Sequence, residues 1–304
     1  MTGSEYTHVT SAAEARSPGV EIPGRVPCLV CHGRFVGSTL PGLKRCTSCG
    51  FVSADVSMSD AEFSALYGAD YFHGEEYRDY REEKADLQLN FRRRLETLHA
   101  LIPDLRTSKL FEIGCAYGFF LDEVRRDVQS ASGIDISVAG TEFARETLHV
   151  DALTGNFLEH SMDPDTGVVA MWDTIEHLPR PDLFIEKVSK DLQPGTYLAI
   201  TTGDIDALNA RLRGKRWRMI HPPTHLHYFS VRTLSKLLDR TGFDIVHVSH
   251  PGNARNLRSI LHFVVDLRLG WKSLYRMISK WKVFDASVTM NLFDIMFVVA
   301  KKRA

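Results

Sequence analysis

Apolar runs broken by glycine recur along this chain at the rhythm of alternating strands and helices. In residues 109–121, KLFEIGCAYGFFL, the run Leu110-Phe111-Glu112-Ile113 reads as a short buried strand that ends at Gly114. Gly118 follows, and Phe119-Phe120-Leu121 opens a helix. The alternation continues. Gly133-Ile134-Asp135-Ile136 is a second apolar step ending in an acid, and Ser137 is placed to cap a helix that runs to about Leu148. Residues 149–153 form a third strand before Gly155-Asn156-Phe157, and residues 167–172 form a fourth that runs into Asp173. Pro181-Asp182 opens a helix to about Leu192, and Gln193-Pro194-Gly195 turns into a fifth strand at 197–201. Ser230 caps a helix that stops at Gly242, and residues 243–249 and 293–300 are the last two strands. Strands alternating with helices predict an α/β fold with a parallel sheet and right-handed crossovers. Spacing does not set the direction of the final pair.

The N-terminal part has a different character. Residues 1–24 are rich in Ser, Thr, Ala, Glu and Gly, lack periodicity and read as a disordered tail. Residues 25–56 carry Cys28-Leu-Val-Cys31 and Cys46-Thr-Ser-Cys49, two C-x2-C knuckles separated by fourteen residues. That spacing predicts a zinc ribbon. Four thiolates close a tetrahedral site and leave no position for water, so the expected zinc is structural. In residues 57–105, Tyr67, Tyr71, Tyr77 and Tyr80 crowd before a helical pattern over 82–101, with Leu87, Phe91, Leu95 and Leu98 at spacings of three and four.

Composition narrows the class. The 304 residues are 44% hydrophobic and 25% charged, the balance of an ordinary globular protein, and leave room for one large domain plus a small module. A formal net charge of −1 argues against general affinity for nucleic acid or anionic membranes. No apolar stretch reaches spanning length and no signal-peptide core is evident, so the expected location is the cytoplasm.

A strand, a glycine turn and a helix start together make a place where backbone N–H groups meet a ligand. A dinucleotide turn, G-x-G-x-x-G, needs its second and third glycines, and here those places hold Ala116 and Phe119. The turn therefore suits a nucleoside without a pyrophosphate, and a carboxylate at the tip of the next strand, Asp135, can accept from ribose hydroxyls. Glu112-x-Gly114-x-x-x-Gly118 followed by Asp135 resembles motif I and its partner acid in class I S-adenosylmethionine-dependent methyltransferases. Met171-Trp172-Asp173-Thr-Ile-Glu176-His177-Leu178 is similar to the W-D-x-x-E-H-L segment of the small-molecule branch that includes ubiquinone and natural-product methyltransferases. His225-Leu-His227-Tyr228-Phe229-Ser230 resembles its H-L-x-Y-F-S segment.

The resemblance covers residues 67–304 and implies a Rossmann-like seven-stranded methyltransferase sheet whose last strand inserts antiparallel. It implies a catalytic domain over 106–304, with 253–290 as an insertion covering the acceptor, while the crowded tyrosines and helical pattern of 57–105 themselves read as a helical lid joining the ribbon to that domain. It places Glu112, Gly114, Cys115, Ala116, Gly118, Asp135, Ile136, Asn156, Phe157 and Trp172 at the cofactor. Of the lid tyrosines, Tyr71 and Tyr80 are set to cover its methionine end, or else to pack the ribbon. Asn156 stands where the family has an acid that contacts the adenine amine, and its side-chain carbonyl can still accept. Cys115 reads as a small residue packed under the ligand.

An acceptor hydroxyl, amine or acidic carbon must lose a proton, and histidine is the natural base near neutral pH. His177 follows the fourth strand, with Asp173 and Glu176 near enough to orient it. His225 borders a loop stiffened by Pro222 and Pro223. His177, His225 and Asp173 are therefore the catalytic candidates, against a packing or capping role. His221 is a further candidate, and His227 more nearly a packing residue. Asp173, Glu176 and His177 could also hold a divalent metal, although no further ligand can be placed. Arg211, Arg213, Lys215, Arg216 and Arg218 surround Trp217 and read either as a solvated turn or as a clamp for an anionic acceptor. A second basic–aromatic region spans 253–282, with Trp271, Tyr275 and Trp281. The expected function is methyl transfer from S-adenosylmethionine to a small-molecule acceptor, a natural product, sugar or glycan precursor, at oxygen. An RNA base methyltransferase is opposed by the near-neutral charge and the lack of an N-P-P-Y-like or cysteine-nucleophile motif. A zinc-ribbon adaptor with a dead scaffold is opposed by the intact Glu112, Gly114, Gly118 and Asp135.

Overall fold

The computed structural model describes residues 27–56, 84–261, 265, 270–278, 281 and 286–304. The expectations for residues 1–24 and for Tyr67, Tyr71, Tyr77 and Tyr80 lie outside them. In chain order the ribbon strands come first: β1 (Phe35–Gly37), β2 (Leu43–Cys46) and β3 (Val52–Ala54). Helix α1 (Lys84–Leu101) leads into β4 (Lys109–Ile113), α2 (Phe119–Val124), β5 (Ser130–Asp135), α3 (Val138–Thr147) and β6 (Asp151–Thr154). Then follow β7 (Thr166–Trp172), α4 (Pro181–Asp191), β8 (Tyr197–Gly203), α5 (Leu208–Arg213), β9 (His227–Tyr228), α6 (Val231–Arg240) and β10 (Phe243–Ser249). The chain ends with β11 (Asn253–Asn256), α7 (Leu257–Leu261), α8 (Lys272–Ile278), β12 (Ser287–Met290) and β13 (Ile295–Lys302).

Seven strands form the main sheet in the order β10-β13-β8-β7-β4-β5-β6. All are parallel except β13, which runs antiparallel to both β8 and β10. This is the Rossmann-like methyltransferase sheet. Both faces are covered, so the central strands are apolar throughout, as in β7, where Val168, Val169, Ala170 and Met171 are fully buried. One face packs Phe91, Leu95 and Leu98 of α1 with Phe119, Phe120 and Leu121. The other packs Ile185 and Val188 of α4 with Leu234 and Leu237 of α6. Strand order reverses at β4 and β7, so the ligand crevice of this sheet opens between their carboxyl ends.

Two strand starts are later than the apolar pattern predicts. His149 and Phe293 take positive φ values of 54° each, which L-residues rarely adopt within a strand, so β6 begins at Asp151 and β13 at Ile295. The predicted insertion over 253–290 is tied down by a β11–β12 pair that rests on α1. Asn90 exchanges two hydrogen bonds with Ala254, at 3.1 and 2.7 Å, and Asp86 accepts from the Asn256 N–H at 2.6 Å.

The ribbon is fused to the large domain. Strand β9 adds to it, giving the order β1-β2-β3-β9, and the Ala54 N–H donates to the Leu226 carbonyl at 2.8 Å. Phe51 is fully buried against Phe229, with ring centroids 5.0 Å apart. Arg232 donates to the Cys49 carbonyl, and Arg240 bridges the Leu29 carbonyl and Glu186, each at 3.1 Å. No helix among the described residues is long and apolar enough to cross a membrane.

Candidate active site

The turn after β4 is rigid because its amides are already engaged. The N–H groups of Gly114 and Cys115 donate to the Ile134 carbonyl at 2.8 and 3.2 Å, that of Ala116 to Asp135 Oδ2 at 2.8 Å, and that of Gly118 to Cys115 O at 2.7 Å. This corrects the expectation of open donors. The turn offers close backbone approach, and its committed amides suit a ligand that brings no phosphate. Ala116 sits at φ +45° against Gly140 of α3, where a Cβ would lie 2.9 Å from the Ala116 carbonyl oxygen. Gly140 is a residue the sequence reading missed, though a glycine inside a helix costs about 1 kcal/mol and so asks for a packing reason. Gly118 faces Ala144 and Val150, and Cys115 is buried against Gly133, so both serve the packing of the turn.

Asp135 stands between the turn and α3, its Oδ1 accepting from the Ser137 N–H at 2.8 Å. Burial pushes its carboxyl up, while the Ser137 and Ala116 amides pull it down. With the Ile136 amide also directed at it, the carboxylate keeps capacity for a hydroxyl donor. Asp135→Ala is expected to weaken S-adenosylmethionine binding by about 1–3 kcal/mol, the cost of stranding buried polar partners. Isothermal calorimetry checks it, and a variant with parental affinity overturns the assignment. Asn156 caps the short turn that holds Phe157, its Oδ1 accepting from the Leu158 N–H at 3.1 Å and its Nδ2 donating to Glu159 at 3.1 Å. The side-chain carbonyl expected for adenine thus already has one partner. Ile136 is exposed beside Asp135, and Phe157 is buried.

At the reversal point, three buried polar atoms have no hydrogen-bond partner among the described residues: Glu112 Oε2, Trp172 Nε1 and Asp173 Oδ1. Burial pushes the Glu112 carboxyl well up, the Asp135 charge adds to this, and Arg94 opposes it. Unpaired buried polar groups mark a place built for a partner, and Glu112 and Trp172 are among the residues that the sequence resemblance expects at a cofactor. Asp173 is held at φ +50°, a strained backbone often found at functional sites. Arg94, absent from the sequence reading, reaches from α1 to Asp173 Oδ2 at 3.2 Å and lies 5.1 Å over the Trp172 ring.

Farther along the same edge, His177, His221 and His225 converge. His177 and His225 meet edge to face with ring centroids 4.5 Å apart, and His221 lies 3.8 Å from His225. The Nδ1 of His177 faces the Thr224 carbonyl at 2.9 Å, and that of His225 faces Met219 O at 2.8 Å. A carbonyl only accepts, so both Nδ1 atoms carry the hydrogen and both Nε2 atoms carry lone pairs. Burial lowers His177 to about 4 despite the Thr224 carbonyl, and lowers His225 further, with His177 and His221 adding to the effect. The rings are therefore neutral at pH 7. His227 belongs elsewhere: it stacks on Phe51 and joins Ser53 at 3.0 Å to Pro179 O at 3.4 Å, a joint between ribbon and large domain. The expected clamp at 211–218 is also partly internal. Trp217 and Arg218 donate to the buried Asp294 at 2.8 and 2.7 Å.

In the ribbon, one sulfur atom from each of Cys28, Cys31, Cys46 and Cys49 lies within 4.8 Å of the others, with Cys28–Cys49 at 3.6 Å and Cys31–Cys46 at 3.5 Å. Zinc–sulfur bonds of about 2.3 Å put tetrahedral sulfurs about 3.8 Å apart, so the donor set fits a zinc ribbon. Burial pushes the Cys28 thiol up and Cys49 to about 11. For Cys46 burial is outweighed by the Cys49 and Ser48 amides, which bring it to about 7.

Sheet order and glycine turn are those of a class I S-adenosylmethionine-dependent methyltransferase. A family model described as a methyltransferase domain matches residues 77–248, more than half of the chain, and the chain belongs to that family. Solved structures share the fold at low identity. A candidate methyltransferase of Bacillus halodurans is 13% identical with a TM-score of 0.51, covering 69% of this chain and 99% of its own. Magnesium protoporphyrin IX methyltransferase of Synechocystis, with S-adenosylhomocysteine bound, is 12% identical with a TM-score of 0.52, covering 81% and 100%. A chain from a complex of the Haloferax volcanii Trm112 methyltransferase activator with a candidate methyltransferase is 16% identical with a TM-score of 0.53, covering 82% and 100%. No curated protein matches the sequence significantly.

Proposed function

We propose that this chain methylates an oxygen of a small-molecule acceptor, a natural product, sugar or glycan precursor, and carries a structural zinc in its ribbon. The reading is carried by one juxtaposition: unpaired Glu112, Trp172 and Asp173 atoms at the reversal point, and imidazole lone pairs farther along the same edge. When bound, S-adenosylmethionine supplies an activated methyl, which passes to the acceptor oxygen while the C–S electron pair stays on sulfur. Glu112, Asp135 and Trp172 are the residues that would hold it. Arg94 fixes Asp173 across the cleft, and its stacking on Trp172 shields that edge from water. His177 and His225 present Nε2 to the acceptor, whose hydroxyl proton leaves on their side. A net charge of −1 favours a small acceptor over nucleic acid. His177→Ala is expected to keep cofactor affinity and to lose about 10²–10⁴ in turnover, the range for a group that handles the acceptor proton. Single-turnover methyl transfer with an oxygen acceptor checks this, and a parental rate rules His177 out.

A further inference from the structure

We propose that Glu176, His177 and His225 form a divalent-cation site on the acceptor side of the cleft, separate from the four-cysteine cluster. The inference rests on the reading that this edge receives the acceptor, although cation binding itself does not require methyl transfer. One ligand atom from each of the three residues lies within 4.8 Å of the others. Tetrahedral metal–nitrogen bonds of about 2.0–2.1 Å need donors about 3.4 Å apart, so closure asks for shifts of about 1 Å, within reach of side-chain rotation.

The hydrogen bonds around the rings give this cluster its direction. Both imidazoles donate Nδ1–H to backbone carbonyls, His177 to Thr224 and His225 to Met219. That is the outer support that fixes the tautomer of metal-ligating histidines and aims Nε2 inward. The backbone also pins the two contributing segments together. The Glu176 carbonyl accepts from the Leu226 N–H at 2.9 Å and the His227 N–H at 3.1 Å, so the loop after β7 and the segment carrying His225 are stitched at the site itself. Strand β9, immediately after His225, is paired in turn to ribbon strand β3. The ribbon thereby holds the segment that delivers one ligand. Asp173 is not part of the set, because its carboxylate turns to Arg94. His225 supplies the donor that sequence spacing could not place.

Two imidazole nitrogens and one carboxylate oxygen suit Zn²⁺, Co²⁺, Fe²⁺ or Mn²⁺ better than the oxygen-seeking Mg²⁺ or Ca²⁺. Three protein ligands leave a coordination position open, as in catalytic rather than structural sites. The class of acceptor that fits is one offering a hydroxyl oxygen to that position, where the cation, with both Nε2 lone pairs engaged on it, would take over from the imidazoles the task of easing the acceptor proton away.

The test is cobalt titration of the full chain with zinc retained in the ribbon, followed by absorption spectroscopy, calorimetry and elemental analysis. The parent is expected to take up one Co²⁺ with weak d–d bands and no thiolate charge-transfer band, and so to hold two metals per chain. Glu176→Gln and His177→Gln are each expected to weaken Co²⁺ binding at least 100-fold while keeping ribbon zinc and S-adenosylmethionine affinity, which show that the variants are folded. Should a variant fail to fold, the parent's cobalt spectrum decides alone. A parent that binds no Co²⁺ outside the thiolates, or variants that bind it like the parent, overturns the site. A parent that still holds one metal after the titration overturns the site, and methyl transfer by that parent leaves the proposed function standing. Cobalt bound as expected, with no methylation of any oxygen acceptor, supports the site and counts against the acceptor reading.

Discussion

Removal of zinc from the ribbon, by chelation or by Cys28→Ser with Cys46→Ser, is expected to unfold much of the chain and not the ribbon alone. The cysteines are part of the main core. Cys28, Cys46 and Cys49 are almost fully buried and cluster with Phe51, Phe229, Leu234 and Val188. Burial raises the Cys28 and Cys49 thiols, so a cation is what makes four converging sulfurs stable as thiolates. Apparent zinc binding energies of about 10–16 kcal/mol in small zinc modules match the about 5–15 kcal/mol that separates a folded domain from its unfolded state. Losing the metal also loosens β9, and with it the Glu176 carbonyl and the loop that carries His225. Elemental analysis should show the variant to have lost the one zinc that the four cysteines hold in the parent. Thermal unfolding should show the variant's transition lowered by more than 10 °C or replaced by aggregation, since about 1 kcal/mol shifts Tm by about 2–4 °C in a domain of this size. A zinc-free variant with the parental transition and cofactor affinity would show the ribbon to be dispensable.

Gly114→Val is expected to abolish measurable cofactor binding while the chain stays folded. Gly114 has φ +82°, and a Cβ there would lie 2.5 Å from Thr174 Cγ2 and 2.6 Å from Thr174 Oγ1. Thr174 cannot easily retreat, because its hydroxyl donates to the Trp172 carbonyl at 3.0 Å. The two sides of the cleft, the turn after β4 and the loop after β7, are thus in contact through a position that only glycine fits. Left-handed backbone costs a β-branched residue about 1–3 kcal/mol, and the clash adds to it by prising the cleft walls apart. A loss of at least 100-fold in affinity, about 2.7 kcal/mol, is the expected calorimetric result. Gly114→Ala with Thr174→Ala removes the clash but keeps the strain, and should recover part of the loss. Undiminished binding by Gly114→Val would mean that the ligand does not use this turn.

The strands were legible because parallel strands covered on both faces are written as unbroken apolar runs, and β7 could be read almost to the residue. The antiparallel insertion of β13 was not written in any local pattern and came only from the family resemblance. The polar stripe Asp86, Asn90 and Arg94 was missed although its spacing of four was visible. On paper it looks like the solvated face of a helix, and only the insertion and Asp173 packed against it reveal three buried polar partners. Trp217 and Arg218 misled in the opposite way, since nothing nearby in sequence announces Asp294. The histidines were legible as a set of candidates but not as a cluster. Their tautomers depend on carbonyls of Thr224 and Met219, which the fold brings to them.

The most direct test of the account is calorimetric titration of the zinc-loaded chain with S-adenosylmethionine and, separately, with NAD. One S-adenosylmethionine site, weakened about tenfold or more by Asp135→Ala, with no heat from NAD, is the predicted result. Binding of NAD, or S-adenosylmethionine binding that ignores both Asp135→Ala and Gly114→Val, would contradict it.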